Sequence, residues 1–333
     1  MASKVVVVTG ASAGLGRAIA LEFARNNFDV GLVARNEEAL NEVKQQIETI
    51  GRKAVVCPAD VSDARALEEA AQSVESQLGE IDVWVNNAMV SVFSPVSLMQ
   101  PEEYKRVTEV TYLGYVYGTL AALRLMKRRN RGTIVQVGSA LAHRAIPLQS
   151  AYCAAKHAIK GFTESLICEL LHEKSQVKVS MVHMPALNTP QFRWVKSRLP
   201  KQPQPVPPIF QPEVGARAVV WAAGHGPREL LVGYPTMKAV VGEKFVPGYI
   251  DKVLAETGYK DQQTNEAVAD DRINNLWKPA PNRYYSEHGD FSHAARAKGL
   301  SMTNRQVIGL GFLGALCLGT LSVGLANRVR KSA

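Results

Sequence analysis

Cysteine is scarce in this chain, and what there is lies scattered. Cys57, Cys153, Cys168 and Cys317 form no Cys-x-x-Cys pair and no Cys/His cluster. That leaves a disulfide framework and a metal centre without support, so no metal is expected. Isolated thiols of this kind are expected to be buried among apolar groups, in a reducing compartment. His288 and His293 stand five apart with no further ligand near them, and read as solvated surface. The N-terminus, MASKVVVVTG, enters an apolar run at once and has no room for a signal peptide. No basic run is interleaved with aromatics, which argues against nucleic acid. The net charge of +9 then points to an anionic cofactor or an anionic membrane face. No repeat of solenoid type is present.

The 333 residues are 46% hydrophobic and 21% charged, globular values. A chain this long accommodates one domain of roughly 250 residues and an extension. Residues 4–9, KVVVVT, are an unbroken β-branched run, as in a strand buried on both faces. GASAGLG follows, and then the amphipathic stretch RAIALEFARNN. Strand, glycine-rich turn and helix in that order suit a dinucleotide. Gly10, Gly14 and Gly16 allow close approach of backbone to a pyrophosphate, and the helix N-terminus offers free N–H groups. The next strand, DVGLVA, ends in Arg35. An acid at that place holds the ribose hydroxyls of NAD, whereas an arginine accommodates the 2′-phosphate of NADP. NADP(H) is therefore favoured over NAD(H).

Helical and strand-like segments go on alternating. Helices are predicted at EEALNEVKQQIETIG, ARALEEAAQSVESQLG, as one long helix over 101–130, and at SAYCAAKHAIKGFTESLICELLHEKS; strands at KAVVCP, IDVWVN, GTIVQVG and VKVSMVH. The alternation predicts a parallel, doubly wound α/β sheet with right-handed crossovers.

The chemistry concentrates in SALAHRAIPLQSAYCAAK, residues 139–156. Tyr152 and Lys156 are four apart on a predicted helix and share one face. An ammonium beside a phenol favours the phenolate and is expected to lower the phenol's pKa from ~10. Ser139 follows a predicted strand, so its hydroxyl falls at a strand's carboxyl end, where open α/β sheets bind ligands. The set suits moving a proton to or from a carbonyl or alcohol oxygen.

These motifs together resemble the short-chain dehydrogenase/reductase superfamily, over roughly residues 4–235. The resemblance rests on TGASAGLG at 9–16, Asp60-Val61, Asn86-Asn87-Ala88, and Ser139 thirteen residues before Tyr152 with Lys156 after it. It implies a Rossmann-type sheet of about seven strands and NAD(P)-dependent interconversion of alcohol and carbonyl. Gly10, Ser12, Gly14, Leu15 and Gly16 would hold the pyrophosphate, Asp60 and Val61 would lie against the adenine, and Asn87 and Ala88 would lie near the cofactor. Tyr152 would be the acid/base and Ser139 would hold the substrate oxygen. Lys156 would tune the tyrosine and grip the nicotinamide ribose. Three positions depart from the family pattern. Met89 replaces the glycine after Asn-Asn-Ala. Thr111 stands where the family has a catalytic asparagine, which puts the helix distortion and proton relay credited to that residue in question. Pro185-Ala186 replaces Pro-Gly, with Thr189 keeping a position that meets the cofactor.

The proline-dense stretch 185–213 is read as a substrate lid, with Phe192, Trp194 and Phe210 as candidate pocket walls. Residues 256–304 lose periodicity and read as an irregular extension of the 1–255 domain. Residues 307–326, VIGLGFLGALCLGTLSVGLA, carry no charge and are long enough to cross ~30 Å of hydrocarbon. Arg305 precedes them, and Arg328, Arg330 and Lys331 follow. Gly311, Ala315 and Gly319 form a small-residue stripe suited to helix contact. The expected protein is an NADP(H)-dependent oxidoreductase, tethered to a membrane by 305–333 with its catalytic domain in the cytoplasm. It would act on a small, hydrophobic carbonyl or alcohol. The resemblance adds a homo-oligomer formed through the helices at 101–129 and 150–174. The alternative is a membrane scaffold or sensor that binds NADP(H) without turnover.

Overall fold

The computed structural model describes residues 3–269, 272–307 and 309. One eight-stranded sheet organises them. Its strands are β1 (Lys4–Thr9), β2 (Phe28–Ala34), β3 (Ala54–Pro58), β4 (Ile81–Asn86), β5 (Thr133–Ser139), β6 (Lys178–Met184), β7 (Glu229–Val232) and β8 (Ser301–Thr303). They lie in the order β8-β7-β6-β5-β4-β1-β2-β3. β1 pairs in parallel with both β2 and β4, so the strand order reverses there. Crevices at such reversals take ligands.

Both faces of the sheet are covered. Val6 and Val8 of β1 pack with helices α1 (Gly14–Arg25) and α2 (Glu37–Thr49) on one side. Val5 and Val7 pack with α3 (Ala64–Leu78) on the other. This accounts for the unbroken valine run, because alternate residues point to opposite faces and neither face is wet.

Three features differ from the expectation. The predicted long helix is α4 (Pro101–Thr108) and α5 (Gly114–Met126), separated by a π turn at Glu109–Leu113. The distortion that Thr111 put in question is therefore present. The sheet has eight strands rather than about seven. The additional one, β8, is supplied by the stretch read as irregular, and it joins β7 antiparallel through Leu231↔Met302. Three residues are too few to show a period of two. Lastly, Cys57 and Cys153 are buried as expected, but Cys168 is exposed on α6 (Ser150–His172).

The remaining helices are α7 (Gln191–Trp194), α8 (Pro212–His225), α9 (Tyr234–Phe245) and α10 (Pro247–Asp261). α8 packs against α1. Beyond α10 the chain turns back over the domain. Residues Gln263–Ala267 pair with Lys201–Pro203 of the lid stretch, and later residues reach the carboxyl ends of the strands. No helix among the described residues is long and apolar enough to cross a membrane. The expected span at 307–326 falls, apart from Val307 and Gly309, outside the described residues.

Candidate active site

A cavity of about 390 Å³ runs along the carboxyl ends of the strands, from Arg35 and Asp60 at one end to Ser139, Tyr152 and Lys156 at the other. The glycine turn forms its floor. Gly10 has φ +68°, and a Cβ there would lie 2.8 Å from the Cα of Ala88. A Cβ on Gly16 would lie 2.0 Å from the carbonyl oxygen of Gly10. Both positions exclude a side chain, so the turn lies flat against α1. Ala13 caps α1 without a side-chain acceptor, which leaves the first-turn N–H groups beyond Gly14 to an anion. The turn is held from β4: the Thr9 hydroxyl accepts from the Asn87 and Ala88 N–H groups at 2.9 and 3.1 Å, and Asn87 Nδ2 donates to Thr9 O at 2.9 Å. A dinucleotide phosphate fits this cradle.

Ser12, Gly14, Leu15, Val61, Asn87, Ala88, Pro185 and Thr189 also line the cavity, as do Met89 and Ala186. Phe192 and Trp194 line it from the lid. Phe210 does not; its ring is buried in the core, where the bridges of its backbone run to Leu187 and Arg296.

At the far end, the Arg35 guanidinium donates to the carbonyls of Asn275 at 2.6 Å and Trp277 at 3.3 Å. Arg106, buried, binds Asp60, the Ser62 hydroxyl at 2.9 Å and Leu276 O at 3.0 Å. Burial alone would raise the Asp60 pKa, but Arg106 and Ser62 outweigh it and hold the carboxyl below its ordinary value. The extension reaches the floor too, where Gly14 N–H donates to Ser286 O at 2.8 Å. Thus residues 275–286 close this end of the cavity, which the polar sequence of the extension did not signal.

At the reacting end, Ser139 terminates β5, and its Oγ accepts from Leu141 N–H at 3.1 Å. Tyr152 and Lys156 project from the first two turns of α6. Lys156 is 2% exposed; its Nζ donates to Val137 O at 2.8 Å and to the Tyr115 hydroxyl at 2.9 Å. The Tyr115 hydroxyl in turn donates to Val137 O at 3.0 Å. Nζ sits 5.5 Å from the centroid of the Tyr152 ring.

This geometry corrects the expected electrostatics. Burial raises the Tyr152 phenol above its ordinary pKa, opposed by the hydrogen bond with Ser139. Burial also pulls Lys156 down to about 7. Desolvation is the largest influence on both groups, and the neutral form of each is favoured.

Thr111 is fully buried outside the cavity. Its hydroxyl donates to Val90 O at 2.8 Å and accepts from Val90 N–H at 3.0 Å. Those bonds fix the π turn to the strand-end segment beyond β4 and use both roles of the hydroxyl. The group beside Lys156 is instead Tyr115, which sequence reading missed. An aromatic in an apolar helix reads as core. Asn86 holds this part of α5 in place, with its Nδ2 donating to Tyr115 O at 3.2 Å, Thr119 Oγ1 at 3.0 Å and Gln136 Oε1 at 2.9 Å.

The chain is similar to several known proteins. A family model described as short chain dehydrogenase matches residues 4–199. An uncharacterized oxidoreductase of Bacillus subtilis, YxnA, is 34% identical over 261 residues, covering 78% of this chain and 73% of its own. A fatty acyl-CoA reductase of Acinetobacter baylyi is 31% identical, covering 68% of this chain and 75% of its own. Among solved structures, an alcohol dehydrogenase of the archaeon Thermococcus sibiricus, complexed with 5-hydroxy-NADP, is 26% identical with a TM-score of 0.57. It covers 68% of this chain and 95% of its own. A metagenomic short-chain oxidoreductase in complex with NADP is 29% identical with a TM-score of 0.56, covering 67% of this chain and 91% of its own.

Proposed function

The chain belongs to the short-chain dehydrogenase family, and on that premise we propose that it is an NADP(H)-dependent reductase of a hydrophobic carbonyl compound, with Tyr152 as general acid. That it is an oxidoreductase acting on CH–OH/C=O follows from the family. The preference for NADP(H), the substrate class and the direction are the proposal. The observation that carries it is the convergence of Ser139, Tyr152 and Lys156 on the cavity floored by the glycine turn.

Bound in that cavity, the dinucleotide supplies the hydride. The first turn of α1 and the glycine turn would hold its pyrophosphate, and Arg35 its 2′-phosphate. Ser139 and Tyr152 bind the substrate oxygen between two hydroxyls. As charge develops on that oxygen, Tyr152 delivers its proton. Lys156, fixed by Val137 O and Tyr115, keeps a positive charge beside the forming phenolate. The phenol is protonated at neutral pH, the state from which it acts as the acid of reduction.

A hydrophobic substrate taken from a membrane is supported by the lid and by α9 and α10. Phe192 and Trp194 offer an apolar wall, and Pro235 of α9 lines the same cavity. The two helices expose Tyr234 (70%), Phe245 (78%) and Tyr249 (69%), apolar surface of the kind that meets a lipid interface. The apolar stretch 307–326 is proposed as a tether that keeps the catalytic domain on the cytoplasmic face. NADPH consumption by the purified full-length chain, across short and long aldehydes and ketones with and without vesicles, tests the reading. Turnover that increases with chain length supports it. Reduction of short polar carbonyls alone, unaffected by vesicles, contradicts it.

A further inference from the structure

Behind Ser139 lies a second cluster that the proposed reaction does not use. His143 follows Ser139 by four residues, His183 lies on β6, and Glu229 opens β7. Their ligand atoms all lie within 4.8 Å of one another. The two histidine Nε2 atoms are 3.3 Å apart, and His183 Nε2 is 3.9 Å from Glu229 Oε2. His183 and Glu229 are buried and His143 is half-buried.

The proton positions follow from the partners. His183 Nδ1 is 3.2 Å from the carbonyl oxygen of Ser139. A carbonyl only accepts, so Nδ1 carries the hydrogen and Nε2 carries the lone pair. The His183 lone pair thus faces both the His143 ring and the carboxyl group of Glu229. Among the described residues, the side chain of Glu229 accepts from the amide of Asn304. Nearby Lys160 and Arg228 both bind Glu164, at 2.6 and 3.3 Å. Two imidazole nitrogens on one tetrahedral zinc, at ~2.0–2.1 Å each, would stand ~3.3–3.4 Å apart. The observed separation matches.

We propose that His143 Nε2, His183 Nε2 and the Glu229 carboxylate bind one divalent cation of the zinc type, with solvent in the fourth position. The ion ties the loop after β5 to β6 and β7. Through His183 Nδ1–H it holds the carbonyl of Ser139, the carbonyl–histidine–metal arrangement that orients a ligand ring. Its role is positional, and no substrate atom reaches it.

The test uses the untagged full-length chain, stripped with a chelator and titrated with Zn²⁺ alone and with Co²⁺ alone. One equivalent should bind, Co²⁺ should show the intense visible bands of a tetrahedral site, and Zn²⁺ should displace it and raise Tm. His143→Ala, at a half-buried loop position, should lose at least ~10-fold in affinity, scaled from the effect of second-shell changes, and should lose the Co²⁺ bands. NADPH binding by this variant reports that it is folded. Glu229→Gln should weaken binding in the same way. His288→Ala, in the half-buried Glu213/Glu287/His288 group, should leave the bands unchanged. The proposal is overturned if the folded parent shows no tetrahedral Co²⁺ spectrum and no Zn²⁺-dependent Tm. It is equally overturned if His143→Ala binds as tightly as the parent, or if only His288→Ala abolishes binding.

Discussion

At the residue scale, Lys156 governs the pH dependence. Its ammonium is desolvated to a pKa of about 7, and two oxygens hold it in place. The charge is complete below that value and is lost as pH rises through it. Reduction should therefore run on a plateau at acid pH and decline across neutrality with an apparent pKa near 7. A kcat/KM profile for NADPH-driven reduction checks this, and a profile flat across neutrality would contradict it. Tyr115 acts on the substrate only through Lys156. Tyr115→Phe removes one acceptor from the ammonium and should move the kinetic pKa downward, with kcat reduced ~10-fold, about 1.4 kcal/mol of barrier. A merely structural role would change Tm and leave the pKa in place. None of this was legible in the sequence. Tyr152 and Lys156 could be placed on one helix face from their spacing, but burial, which reverses the shift of the phenol, is a property of the packed site.

At the scale of elements, the lid is anchored to α4 by charge. Glu103 is 3% exposed; it accepts from Arg198 at 2.8 and 2.9 Å, and Lys196 lies 2.7 Å from it. Burial opposes its ionisation, yet Arg198, Lys196 and the Gln100 N–H together hold its carboxyl down at about 2. The folded pKa lies below the unfolded one, so this stabilisation is complete above about 4.5 and is lost as pH falls towards about 2. Glu103→Gln should cost ~3 kcal/mol at neutral pH, at the lower end for a broken buried pair because both cations are partly solvated. Urea unfolding at pH 7 and at acid pH measures it; the difference between variant and parent should shrink on acidification, and an undiminished difference would contradict the account. The strands and the helix N-termini were readable, because valine runs and the glycine turn are local signals. The π turn was not, because it depends on Thr111 meeting Val90 twenty-one residues away. Phe210 reads as a lid aromatic from its prolines and packs in the core all the same.

At the scale of the whole molecule, the extension completes the cofactor end of the cavity. Sequence could only say that periodicity stopped, since residues 275–286 hold Arg35 and Gly14 through backbone carbonyls, and the side chains that pack there, such as Leu276 and Tyr285, follow no regular spacing. Deleting residues from 270 onward should weaken NADPH binding at least ~10-fold, a loss of about 1.4 kcal/mol. Arg35→Ala in the full chain should cost NADPH more affinity than NADH. Fluorescence titration of both cofactors checks the pair, and equal losses for the two would remove Arg35 as the 2′-phosphate contact.

The central claim is that Tyr152 donates the proton while hydride is delivered in the same cavity. Single-turnover reduction by Tyr152→Phe, measured beside its NADPH affinity, tests it most directly. The account predicts a fall in the reductive step of at least ~10²–10³-fold with cofactor affinity unchanged. A Tyr152→Phe enzyme that reduces its substrate as fast as the parent would contradict it.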